Sequence, residues 1–235
     1  MASMKSRGRK RCQFAGRAIL WVVVACGVVG AETLPTGTAL PAPALAEEAP
    51  PNLDTLVRLA RWRTPEKAKP LTDMGLKIVN WTVANLQMEE GLFADSKGLT
   101  GELNKARLTY NSALMIRAFA GLYRVTEKKE YLTEAQRIAK AADGFLRRET
   151  GVYRDPVKWA HLMVEADLEL YRITKEDYLM NRARKNADAY YETWKSNRPT
   201  DLISNASIAR VLWLMADTET EAGRAFWAAS DRAVR

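Results

Sequence analysis

The chain has 235 residues, 47% hydrophobic and 27% charged, proportions that allow a packed core. Its formal charge of +8 is concentrated at the start: taking the six basic residues and one acidic residue of positions 1–46 from totals of 36 and 28 leaves 30 and 27, a net of +3. That balance, with no basic cluster interleaved with aromatics, excludes a nucleic-acid footprint.

Met1 to Arg17 is basic and without acid, and Ala18 to Ala31 is an uncharged apolar run. A basic start followed by a short apolar run is the pattern of a secretory signal peptide. The run is shorter than the ~20 residues that cross a bilayer comfortably. Export is therefore expected, to the periplasm, the outside or the cell envelope, with an uncleaved membrane anchor as the second reading. Cleavage is expected after Ala31 or at Ala44-Leu45-Ala46, while Val23-Val24-Ala25-Cys26 also resembles a lipoprotein box. Thr33 to Pro51 is rich in Pro, Ala and Thr, as flexible tethers are. The chain is thus divided into a leader and tether, 1–46, and a folded domain, 47–235. Both cysteines, Cys12 and Cys26, lie in the leader, and His161 is the sole histidine. Neither disulfides, a metal site nor any other cofactor is expected in the domain.

A first helix is predicted over Leu53 to Arg63, ending before Thr64-Pro65. A second starts near Pro70 and sets Leu71, Met74, Ile78, Trp81 and Asn85 to Met88 on one face. Glu89 to Arg107 contains three glycines and no periodicity, so it is expected to be a functional loop without strands. Leu108 to Leu146 reads as a helical hairpin. In its first half Leu114, Met115, Ile116, Ala118, Phe119, Ala120, Leu122 and Val125 leave almost no polar face. In its second, Tyr131, Ala135, Ile138, Ala142 and Phe145 form a single apolar stripe. Asp155-Pro156 signals another helix start, with Asp155 expected to cap that helix and Pro156 as its first residue. The helix to Thr174 is again apolar on most sides. Asp177 to Trp194 is amphipathic, Pro199 breaks the pattern, and Ser204 to Asp217 is the last clear helix, with a weaker one expected from Glu219.

These segments repeat. Leu122-Tyr123-Arg124-Val125-Thr126 returns as Leu170-Tyr171-Arg172-Ile173-Thr174, and Tyr131-Leu132 returns as Tyr178-Leu179. The loops echo too: Gly91-Leu92-Phe93-Ala94-Asp95 is matched by Gly151-Val152-Tyr153-Arg154-Asp155. A buried helix followed by an amphipathic one, repeated, implies an all-α array of antiparallel hairpins whose loops gather on one rim.

Three passages resemble glycoside hydrolase family 76, the endo-α-1,6-mannanases, whose fold is a ring of six helical hairpins, an (α/α)6 toroid. They are LTYNSALMI with Tyr110 and Asn111, AGLYRVTEKKEYLTEAQRIAKAA, and DPVKWAHLMVEADLELYR with Lys158 at the place of a family lysine. The resemblance covers Leu53 to Asp217 and corresponds to the C-terminal half of such a domain, so a partial toroid is expected. It implies an exported carbohydrate-active protein with an α-mannan-like polysaccharide or oligosaccharide partner. The family's catalytic pair of consecutive aspartates is absent, since the chain contains no Asp-Asp. Ser112 and Ala113 stand where the family has glutamine and glycine, Trp159 replaces a glycine, and Met163 replaces an arginine. A truncated or catalytically impaired member is expected. The rival is a non-catalytic helical-repeat interaction protein of the cell envelope; a related helical-ring epimerase is poorly served by one histidine.

The catalytic residues stay unassigned, and the candidate substrate-binding residues are Tyr110, Asn111, Asp95, Asp155, Lys158 and Trp159. Asp95 and Asp155 are the carboxylates placed symmetrically near the rim, as glycoside hydrolysis would need, although a turn and a helix cap explain them equally. Tyr110 and Asn111 could bind sugar hydroxyls, and Trp159 could offer an aromatic platform or simply fill the core. His161 could serve as a general base, but a lone histidine on an apolar helix is expected to be hydrogen-bonded in the core. Trp62, Trp81, Trp194, Trp213 and Trp227 are expected to pack between helix layers. The missing hairpins should leave apolar faces open for a second copy or a complementary half-domain.

Overall fold

The near-continuous apolar helices and the amphipathic ones sort into two layers in the computed structural model, which describes residues 53–61 and 63–225. The expected leader and tether, Trp62 and Trp227 lie outside the described residues. Seven helices of nine residues or more follow in order: α1 (Leu53–Arg61), α2 (Pro65–Leu86), α3 (Thr109–Thr126), α4 (Lys129–Ala141), α5 (Val157–Thr174), α6 (Asp177–Ser196) and α7 (Leu202–Glu219). Within each of the pairs α1–α2, α3–α4 and α5–α6, each helix packs on its successor, while α1, α3, α5 and α7 pack side by side in that order. Among the described residues no helix is long and apolar enough to cross a membrane.

The layer assignment follows burial. On α3, Ala113, Met115 to Ala120 and Leu122 are buried; on α5, Ala160 and Met163 to Leu170 are buried. On α4 only the stripe Ala135, Ile138 and Ala139 is buried. The apolar rows meet in one core that also takes in Val79 of α2, Leu179 and Ala183 of α6, and Val211 of α7. Burial of side chains this size contributes about 1.5–3 kcal/mol each, and no disulfide is available to supplement it.

The inner helices α3 and α5 each end on a residue in the left-handed conformation, Glu127 (φ 58°) and Lys175 (φ 60°), whose amides return to the carbonyls of Tyr123 and Tyr171. Two further helix-adjacent loops also coincide. Gly91 and Gly151 take positive φ, 89° and 69°, where a side chain would be strained. Each turn closes on an isolated bridge, Gln87 with Phe93 and Leu146 with Tyr153, and buries the aromatic that follows it. The repeat read in the sequence is therefore a repeat of backbone conformation.

Several boundaries differ from expectation. Helix α2 starts at Pro65 and carries Pro70 inside it, because Thr64-Pro65 is itself a start: proline at the first position loses no helical bond. Between Glu89 and Arg107 a short antiparallel pair forms, β1 (Ser96–Lys97) with β2 (Leu103–Asn104), so this loop is not strand-free. It is a ribbon turned by Gly98 and Gly101, too short for a periodic signal. Helix α4 ends at Ala141 and a 3₁₀ turn runs on to Phe145. Helix α7 extends from Leu202 to Glu219, with Asp201 capping through the amide of Ser204 at 2.8 Å. Trp81 and Trp213 are 55% and 61% exposed, so they do not pack between layers. Both lie on outward faces of α2 and α7, where helical spacing alone does not tell inside from outside.

Candidate functional site

The first turns of α3 and α5 lie side by side, and the loop after α2 reaches across them. The Asp95 carboxylate in that loop accepts three hydrogen bonds. The Tyr110 hydroxyl donates to Oδ1 at 2.8 Å and the Asn111 amide to the same oxygen at 3.3 Å, while Asn104 of β2 donates to Oδ2 at 3.1 Å. The ribbon β1–β2 thus has a positioning role, since its register brings Asn104 opposite Ser96, next to Asp95; the Asp95 amide itself donates to the Asn104 carbonyl at 2.9 Å.

Tyr110 faces Trp159 across the α3–α5 junction, with ring centroids 5.5 Å apart and planes at 41°. Trp159 is 42% exposed and is not a core residue, which corrects that reading; it presents a large aromatic face at the rim. The Lys158 ammonium stands 5.5 Å from that ring, a cation–π distance. Lys158, Trp159, Tyr110, Asn111 and Asp95 therefore form one continuous surface.

Asp155 belongs to the same rim but has another occupation. Its Oδ2 accepts from the Thr109 amide at 2.7 Å and the Thr109 hydroxyl at 2.9 Å. It caps α3, not the helix that follows it in sequence; the cap position of α5 is Pro156, which has no side-chain bond, and the helix begins at Val157. An aspartate before a proline reads locally as a cap for its own helix, but the close pairing of inner helices puts the free amides of α3 nearer. Asp95 and Asp155 thus bracket the start of α3, one on Tyr110 and one on Thr109.

Burial, then the hydrogen bond and charge of Asp95, push the Tyr110 hydroxyl up to about 12. Tyr110 is consequently a neutral donor throughout the physiological range, and half-buried Asp95 keeps an open side toward solvent. Such a surface can stack on a sugar ring through Trp159 and exchange hydrogen bonds with hydroxyls through Asp95, Asn111 and Lys158. Among the described residues no group of three His, Cys, Asp or Glu is gathered as a metal site.

His161, one turn into α5, is hydrogen-bonded to the Val157 carbonyl at 3.1 Å through Nδ1. Burial lowers its pKa, with Glu165 acting in the opposite sense. It is a partly buried structural histidine, beneath the rim.

Buried charges behind the rim were not signalled by the sequence patterns. Arg117 of α3 approaches Glu165 and Glu169 of α5 at 3.4 Å each, Arg124 reaches Glu169 at 3.7 Å, and Arg210 of α7 donates to Glu165 at 2.9 Å. Burial raises the Glu165 pKa, but the bond from Arg210 and the charge of Arg117 outweigh it and hold the carboxyl low. A second group surrounds Asp167, which is fully buried. It accepts from the Tyr153 hydroxyl at 2.6 Å and from Arg182 at 3.0 Å, and Arg182 also donates to the Ala139 carbonyl and to Asp143. The available signal was the acidic residues Glu165, Asp167 and Glu169 on an otherwise apolar helix, which demand buried partners.

Residues 53–165 match the family model of glycosyl hydrolase family 76. No curated protein matches the sequence. Among solved structures, a family 76 α-mannanase of Bacteroides thetaiotaomicron superposes with a TM-score of 0.61 at 18% identity, over 71% of this chain and 50% of its own. An α-1,6-mannanase from Salegentibacter gives 0.58 at 18% identity, over 70% and 56%. A protein of Listeria innocua gives 0.62 at 18% identity, over 71% and 55%. The chain thus spans about half the length of these solved relatives. The match running from α1 into α5 makes residues 53–165 similar to glycosyl hydrolase family 76, and the chain shares the all-helical fold of solved family 76 structures over about half their length.

Proposed function

We propose that this chain is an exported α-mannan-binding protein that retains a sugar-recognition rim of the family 76 type without hydrolytic turnover of its own. The observation that carries the reading is the joined surface of Trp159, Tyr110 and Asp95, a half-exposed aromatic face leading onto a hydrogen-bonded carboxylate. The basic and apolar start of the chain supports export, and the names of the solved relatives support α-mannan as the glycan.

The absence of turnover rests on chemistry. Departure of a glycosidic oxygen needs a carboxylic acid as proton donor and a second, opposed carboxylate. At this rim Asp155 is engaged by two bonds from Thr109, and Asp95 by three bonds from Tyr110, Asn111 and Asn104, so each carboxylate already has a structural occupation.

The test is calorimetric titration with α-1,6-linked manno-oligosaccharides beside a reducing-end assay on α-1,6-mannan. Binding without turnover is expected, with Trp159→Ala weakening it at least tenfold and leaving thermal stability unchanged. Turnover abolished by Asp95→Asn would replace this reading with a working hydrolase. Absence of binding to any glycan would favour the interaction-protein alternative.

A further inference from the structure

Helix α7 packs on α5 and α6, which cover Ser207, Ile208, Val211, Leu214 and Met215. Its opposite face is apolar. Leu202, Ala206, Ala209, Trp213 and Ala216 follow one another at steps of four, three, four and three and are all exposed. Leu202 is 83% and Trp213 61% exposed. At 3.6 residues per turn these five fall within about 40° of one line along the helix, ~21 Å long. That is the seam of a two-helix coiled coil, not a scatter of surface apolar residues.

We infer that this seam pairs with the same seam of a second copy, antiparallel, about a two-fold axis at Ala209. The order of side chains carries the choice of occupant. Reversed about Ala209, Leu202 comes opposite Ala216, and Trp213 comes opposite the Ala206 turn, so each large side chain meets a small one and the stripe complements itself. A two-fold interface requires this self-complementarity. Arg210, the cation bordering the seam, is already held by Glu165 of α5 and brings no uncompensated charge against its symmetry mate. Two facing stripes of this kind bury roughly 1,000 Å², the lower limit of a specific interface, so the dimer is a weak one.

Sedimentation of the full chain across about 1–100 µM tests this, with the magnitude set by the interface size. A monomer–dimer equilibrium is expected, with Ala209→Glu weakening it at least tenfold at unchanged helicity, and Trp81→Glu on the exposed face of α2 leaving it intact. In a Cys12→Ser, Cys26→Ser background, Ala209→Cys is expected to form an intermolecular disulfide on oxidation and Trp81→Cys is not. Three outcomes overturn the inference: a monomer at every concentration, a dimer indifferent to Ala209→Glu, or a dimer that appears only when residues 226–235 are deleted. The last would mean that the chain's own final ten residues occupy the seam.

Discussion

The Asp155 carboxylate holds both the amide and the hydroxyl of Thr109, so the turn that leads into one inner helix caps its neighbour 46 residues upstream. A cap of this kind is worth about 0.5–2 kcal/mol. Asp155→Ala is expected to lower the unfolding free energy by that amount in urea, with Asp155→Asn closer to the parent. Because the bond spans two hairpins, the loss should appear in the global transition and not as fraying of α3 alone.

Asp167 offers a much larger effect. Removing its carboxylate leaves the Arg182 guanidinium, 4% exposed, without its buried counter-charge. Breaking such a pair costs about 3–5 kcal/mol. Asp167→Ala is expected to shift the denaturation midpoint by that equivalent, and Tyr153→Phe by about 1.5–3 kcal/mol, the worth of a hydrogen bond to a charged group. Equal denaturant slopes for parent and variant would show that the loss lies in the folded state.

His161 gives the protein an acid sensitivity. Its folded pKa is depressed by burial, so the unfolded chain binds a proton more readily. The stability it supports is full above the ordinary histidine value of about 6.5 and is lost as pH falls through the lower folded value. Glu165, also lowered, adds its own loss only below the carboxylate range, near 4.3 and under. Guanidinium unfolding at pH 7.5 and pH 5 should therefore show a drop for the parent that is smaller in His161→Gln. An equal drop in both would remove His161 as the cause.

Much of this architecture was legible from the sequence because it depends on local patterns. The three-and-four spacing of Ala135, Ile138 and Ala142, and the unbroken apolar run in α3, specify a buried helix and its cover. The echo of Gly91 and Gly151 marked two equivalent turns, since a positive φ restricts the choice of residue. At the rim, Tyr110, Asn111, Asp95, Lys158 and Trp159 were legible as candidates through family resemblance, but their mutual contact was not. It depends on which helices lie side by side. For the same reason the cap supplied by Asp155 crosses to α3, and the partners of Glu165 and Asp167 lie 14 to 48 residues away. The outward positions of Trp81 and Trp213 went unread because periodicity defines a face without saying what lies opposite.

Tyr110 reports on the rim directly. Its hydroxyl is raised to about 12 by burial and by Asp95. In a spectrophotometric titration, Asp95→Ala should return one tyrosine toward the ordinary value of about 10, and Tyr110→Phe should delete that same transition. If Asp95→Ala leaves the titration unchanged, the hydroxyl does not rest on Asp95 in solution.

The paired charges across α3, α5 and α7 have a sign order: Arg117 and Arg124 on the first, Glu165 and Glu169 on the second, and half-exposed Arg210 on the third. Hairpins built to one plan are at risk of stacking in the wrong sequence, since the apolar face of one fits any other. Exchanging the middle repeat with its predecessor would set the arginines of α3 beside Arg210 instead of beside carboxylates, and an unmatched charge at buried Arg117 costs several kcal/mol. The alternation acts as an address on each repeat, and a shuffled chain would be refused at assembly by charge before packing could accept it.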